Sequence, residues 1–121
     1  MSLTSIDHIQ LAIPKGGEAL ARPFYVEILG LTELPKPPEL AARGGAWFTS
    51  GEVNLHLGVD PQFQPATKAH PAFRVADVKA IARRAAQHGY KVSDDEPLPG
   101  FERIFVYDPF GNRIELMQKI G

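Results

Sequence analysis

Short stretches of alternating apolar and polar residues divide this chain into strands. In Ser5–Ile13, the side chains of Ile9, Leu11 and Ile13 fall on one face and those of His8, Gln10 and Ala12 on the other. After the Pro14–Gly17 break, Leu20, Phe24 and Ile28 recur every four residues. That spacing predicts a helix that faces a sheet and stops at Gly30. Pro23 either starts the regular helix near Arg22 or kinks it. A short strand over Leu31–Leu34 and a proline-rich loop over Pro35–Arg43 follow. Gly45–Ser50, carrying Trp47 and Phe48, and Val53–Val59 read as two further strands joined at Gly51-Glu52. In the second of these, Val53, Leu55, Leu57 and Val59 oppose Asn54, His56 and Gly58.

The pattern then starts again. Asp60–Ala69 is a polar connector, and His70–Val75 is a strand with Phe73 and Val75 opposite His70, Ala72 and Arg74. Asp77 is a good N-cap for a helix with a buried stripe of Val78, Ile81, Ala82 and Ala85, stopped by Gly89. Strands are predicted over Tyr90–Ser93 and Glu102–Tyr107, with an acidic loop, Asp94–Gly100, between them. Asp108-Pro109-Phe110-Gly111-Asn112 is a turn in which Gly111 and Asn112 can take positive φ. In the last strand, Arg113–Gln118, Ile114 and Leu116 oppose Arg113, Glu115 and Met117.

Each half reads strand, helix and three strands, written βαβββ. His8 and His70 open the halves 62 residues apart. His56 lies 48 residues after the first and Glu115 lies 45 after the second, each on the last strand of its half. This is the signature of a chain built twice from one unit. The fold class is therefore α+β, with module 1 at about 4–60 and module 2 at about 69–121 of a single domain.

Composition narrows the chemistry. At 121 residues, 44% hydrophobic and 22% charged, the chain is an ordinary globule with room for a core. A net charge of −1 leaves no footprint for nucleic acid or an anionic membrane. The absence of cysteine removes disulfides, thiolate metal sites and a cysteine nucleophile. No apolar run approaches the roughly 20 residues of a membrane span. No signal peptide is evident at the N-terminus, and the expectation is a cytoplasmic protein.

The polar faces carry the candidate site. His8, His56, His70 and Glu115 sit opposite aliphatic faces on four strands, which implies a sheet curved around a wet concavity. Three imidazoles and a carboxylate would suit zinc, nickel, cobalt, iron(II) or manganese(II). His56 serves as a ligand or as an outer acid or base. His88, beside the stop at Gly89, is a favourable charge at a helix end. Arg74, Arg103 and Arg113, if inward, favour an anionic substrate such as a carboxylate or phosphonate. Trp47, Phe48, Phe101 and Phe105 supply candidate pocket walls.

Four segments resemble the vicinal oxygen chelate superfamily of glyoxalase I, fosfomycin resistance transferases, extradiol dioxygenases and bleomycin resistance proteins. They are His8–Ile13, Phe24-Tyr25 with Leu29-Gly30-Leu31, His70, and Asp108–Leu116. The resemblance implies two tandem βαβββ modules forming a U-shaped, half-open mixed β-barrel with helices outside. It implies metal ligands on the first and last strands of each module, here His8, His56, His70 and Glu115. The fourth slot holds His56 where glyoxalase I usually carries a glutamate or glutamine. The implied function is a divalent-metal-dependent lyase, isomerase or transferase. It would act on a small oxygenated metabolite through bidentate chelation. Glu115 and His56 are the catalytic candidates, and a thiol cosubstrate such as glutathione fits the family. One alternative is a ring-cleaving iron(II) dioxygenase. Another, from a different class, is a non-catalytic drug- or metabolite-binding protein of the bleomycin resistance type. Relatives of this length are commonly homodimers, some exchanging modules.

Overall fold

The structure is a computed structural model that describes residues 2–121. It divides into two compact units, Met1–Phe63 and Gln64–Gly121, each with one four-stranded sheet. The expected βαβββ plan is present in both. The first unit contains β1 (Ile9–Ile13), α1 (Glu18–Arg22), β2 (Thr32–Leu34), α2 (Pro38–Ala41), β3 (Ala46–Ser50) and β4 (Val53–Val59). The second contains β5 (Ala72–Arg74), α3 (Val78–Gln87), β6 (Val92–Asp94), β7 (Phe101–Tyr107) and β8 (Arg113–Lys119). Sheet orders are β1-β4-β3-β2 and β5-β8-β7-β6, so the two units repeat one topology. In each, the first strand lies parallel to the last and the remaining pairs are antiparallel.

In the first unit the aliphatic faces pack on the helical side. Ile13, Phe48, Leu55 and Leu57 are buried with Ala21, Phe24, Tyr25 and Ile28. Burying a side chain of the Phe or Leu class contributes about 1.5–3 kcal/mol. Pro23 neither starts nor kinks the helix in the expected way. From Pro23 to Ile28 the helix continues with π bonding. Proline has no N–H to return to the turn before it, and the ladder widens, Leu29 N–H reaching Phe24 C=O at 3.1 Å. The buried stripe is Ala21, Phe24, Tyr25 and Ile28, while Leu20 is 64% exposed. Spacing from Leu20 points to the wrong face because the small Ala21, not the larger leucine, marks the close approach to the sheet. The proline-rich loop contains the short α2, which was not expected. Strand β1 starts at Ile9, four residues later than the alternation predicts.

In the second unit, α3 packs on β6, β7 and β8. Asp77 caps it as expected, its carboxylate accepting from Ala80 N–H at 3.1 Å. The turn before β8 is held by a buried carboxylate. Asp108 accepts from Phe110 N–H, Asn112 N–H and Asn112 Nδ2, each at 2.9 Å. Gly111 has φ of +91°, whereas Asn112 does not take the positive φ expected of it. No helix among the described residues is long and apolar enough to cross a membrane.

Candidate functional site

Strand register assembles the polar face of the first unit. On β4, His56 stands opposite Gln10 of β1 and Trp47 of β3. Directly opposed residues share a sheet face, so the indole meets the imidazole. Their rings stack with centroids 4.5 Å apart and planes 11° apart. His8, just before β1, covers the other face of His56 at 4.1 Å and 16°. The result is a three-ring stack, His8–His56–Trp47. Asp7 holds His8 at Nδ1, 2.9 Å away. Burial pushes the His56 pKa below its ordinary value, and the neighbouring His8 and Lys36 push in the same direction.

Beside the stack lies a cleft of about 750 Å³, lined within this unit by residues that include Gln10, Lys36, Arg43 and Asn54. Gly58 lines the cleft, and Gly45 follows Gly44 on its wall. A Cβ on Gly58 would strike the Gln10 amide, and one on Gly45, at φ +86°, would overlap the Leu57 carbonyl. Gly45 N–H is also donated to the Glu18 carboxylate at 2.6 Å.

The second unit uses the equivalent positions for a charged network. Glu115 on β8 stands opposite Ala72 of β5 and Phe105 of β7. His70, two residues before Ala72, joins that face. Its Nε2 lies 2.9 Å from Glu115 Oε1. Glu115 Oε2 accepts from Arg103 at 3.0 Å, and Arg103 also pairs with Asp95 at 3.2 Å and donates to Glu96 C=O at 2.9 Å. Glu115 is only 5% exposed. Arg113 lies over the Phe105 ring at 4.5 Å and donates to Lys68 C=O at 2.9 Å. Arg74 lies over Phe101 at 4.8 Å.

The His70 environment bears on metal binding. Nδ1 faces two partners, the Lys68 carbonyl at 2.9 Å, which can only accept, and Arg113 Nη2 at 3.4 Å, which can only donate; the shorter contact puts the proton on Nδ1. Nε2 then offers a lone pair toward Glu115, or shares a second proton with it. A ring nitrogen and a carboxylate oxygen about 3 Å apart have the separation of neighbouring ligands bound at about 2.0–2.2 Å to one cation. A carbonyl partner on the far ring nitrogen is the usual orienting contact of a ligating histidine. His70 and Glu115 thus fit a divalent ion. His8 and His56, as stacked, do not jointly chelate one, because their lone pairs lie in two nearly parallel planes. Among the described residues, no group of three or more His, Asp or Glu side chains is arranged to hold a metal ion.

The expected residues therefore fall into pairs within each unit: His8 with His56, and His70 with Glu115. Trp47 lines the cleft, but Phe48 does not. Neighbouring strand residues face opposite sides, and Phe48, 1% exposed, stacks on Tyr25 in the core. Phe105 is engaged with Arg113 and with His70, whose ring it meets edge-on at 5.0 Å. Sequence reasoning missed Lys36, Arg43 and Asp95. All three lie in loops or at element ends, where no periodicity marks a face.

This duplicated unit, with a histidine before the first strand and a histidine or glutamate on the last, defines a tandem βαβββ protein. The profile of the Glyoxalase/Bleomycin resistance protein/Dioxygenase superfamily matches residues 5–116, and the chain belongs to that superfamily. A glyoxalase family protein from Bacillus anthracis is similar at 45% identity and a TM-score of 0.92, over 99% of this chain and 98% of that one. TnmS3, an antibiotic binding protein from Streptomyces sp. CB03234, shares the fold at 23% identity and a TM-score of 0.74, over 99% of each chain. FosX, a fosfomycin resistance protein from Listeria monocytogenes, shares it at 18% identity and a TM-score of 0.79, over 98% of this chain and 96% of that one. A comparison with curated proteins yields no match.

Proposed function

We propose that this protein is a divalent-metal-dependent enzyme acting on a small oxygenated metabolite. The observation that carries the reading is the His70–Glu115 pair. Glu115 is buried, His70 lies 2.9 Å from it at the surface, and the two are fixed from behind by the Lys68 carbonyl and Arg103. In this reading His70 and Glu115 are two of the metal ligands. When bound, the cation would polarise vicinal substrate oxygens as a Lewis acid. The other roles belong to the chain. Arg103 occupies Oε2 of Glu115, and Oε1, which faces His70, would be the ligating oxygen. His56, stacked between His8 and Trp47, is placed to accept a proton.

The test is metal content after dialysis against each divalent ion, for the native protein and for His70→Ala and Glu115→Ala. About one ion per chain, lost in both variants, is the expected result. No uptake of any ion would defeat the proposal.

One observation favours a second reading. The three-ring stack beside an open cleft is also what a sequestering protein would offer a flat drug, and TnmS3 is an antibiotic binder with this fold. Tight ligand binding that chelators leave unchanged, without turnover, would favour it.

A further inference from the structure

We infer that the cleft of the first unit is a binding site for a flat organic carboxylate, with Lys36 and Arg43 meeting the anion beside the His8–His56–Trp47 wall. The inference rests on the reading of this chain as a protein that takes up a small molecule, and it names the class of that molecule. A volume of about 750 Å³ is that of a small-ligand pocket.

Charge selects the ligand. Besides the imidazoles, the charged groups on the cleft wall are Asp7, Lys36 and Arg43. The Asp7 side chain is 96% exposed and its carboxylate is taken by His8 Nδ1. Lys36 is half-buried, and its ammonium donates to the Gly44 carbonyl, which holds it at the cleft edge and leaves donors to spare. Glu18, whose charge Lys36 stabilises, is already occupied by Gly45 N–H. Arg43 makes no ion pair with an acidic residue among the described residues. Two cations against one carboxylate leave the cleft net positive.

The arginines that the sequence suggests for an anion are committed elsewhere. Arg103 is held by Glu115, Asp95 and Glu96, Arg113 by Lys68 and Phe105, and Arg74 by Phe101. Lys36 and Arg43 are the cations left to a ligand at the cleft. A planar guanidinium fork beside an ammonium matches the two oxygens of a carboxylate. The adjoining rings match a flat, conjugated body.

Trp47 is the only tryptophan, so fluorescence excited at the red edge, where tyrosine does not absorb, reports on this cleft alone. The full-length protein is titrated in chelator with benzoate and with benzamide, which share a shape and differ in charge. A saturable change with benzoate, at least about tenfold tighter than with benzamide, is expected from one charge-assisted contact. Lys36→Met should weaken benzoate by about tenfold, and Arg43→Met, an exposed position, by about threefold. Benzamide should be unaffected by either. Equal affinities for the two probes, no saturation with benzoate, or unchanged binding in both variants would overturn the inference. If Lys36→Met loses its native circular dichroism, Arg43→Met decides. Metal uptake is measured on separate aliquots of the same preparations, freed of chelator and dialysed against each divalent ion. Failure of metal uptake with benzoate binding intact refutes only the metal reading, and the converse refutes only this one.

Discussion

Breaking the Arg103–Glu115 pair should expose how a buried carboxylate is kept in place. Glu115 Oε2 lies 3.0 Å from Arg103, and the two side chains are 7% and 19% exposed. At an effective dielectric of about 20, charges 3 Å apart attract by about 5 kcal/mol, and desolvation offsets much of that. Removing one partner of such a pair costs about 3–5 kcal/mol, because the other charge is left buried and alone. Glu115 would not be wholly alone here, since His70 remains at 2.9 Å. Arg103→Met also frees Asp95, which stands 3.2 Å from the guanidinium. The expected loss is about 2–3 kcal/mol for Arg103→Met, lowering the urea midpoint by about 1 M if the slope is about 2 kcal/mol/M. Combining it with Glu115→Gln should recover part of that loss, with a coupling of about 1.5–2 kcal/mol. The assay is urea unfolding of the native protein, both single variants and the double variant, all in chelator so that no ion substitutes for Arg103. A coupling below about 0.5 kcal/mol would mean that the pair is an ordinary surface contact, and the argument for a pre-set Glu115 would fail.

Three further predictions follow the same logic. Asp108→Ala strands three donors around the turn before β8 and should cost about 3 kcal/mol by thermal or urea unfolding. Gly45→Ala places a methyl against the Leu57 carbonyl at positive φ, and should cost more than about 2 kcal/mol, or abolish soluble expression. Glu18 gives a pH signature. The Gly45 N–H, ahead of Arg22 and Lys36, holds its carboxyl below the ordinary carboxylate value. Its contribution is therefore present above the unfolded-state pKa of about 4.3 and is lost as pH falls through the lower folded-state value. Stability measured between pH 6 and pH 3 should fall less steeply in Glu18→Gln than in the native protein, and parallel curves would contradict this.

Alternation made β4 and β8 legible. Val53–Val59 has the expected bounds, and Ile114 and Leu116 point away from the Glu115 face. The two-fold repeat located His8, His56, His70 and Glu115 in equivalent places because backbone topology copies with the unit. The partners of those residues were not legible. Arg103 reads as a free cation on a strand, and only the fold brings Asp95, eight residues away in an acidic loop, against it. The π segment after Pro23 is similarly hidden, since a missing N–H tells where a ladder breaks but not how it re-forms. Lys36 and Arg43 flank α2 in a stretch whose prolines suggest only a loop.

The strand orders β1-β4-β3-β2 and β5-β8-β7-β6 carry a kinetic consequence. In each sheet the strand made last is an inner one, and its parallel neighbour is the strand made first. The hairpin β7–β8 can zip locally, but seating β5 beside β8 means closing a loop of about 40 residues, at an entropic cost that local contacts do not meet in advance. Each half therefore has no complete sheet until its final strand emerges, and the residue that strand carries, His56 or Glu115, arrives at its face only at the closing step. The groups placed for chemistry report that a unit has finished folding.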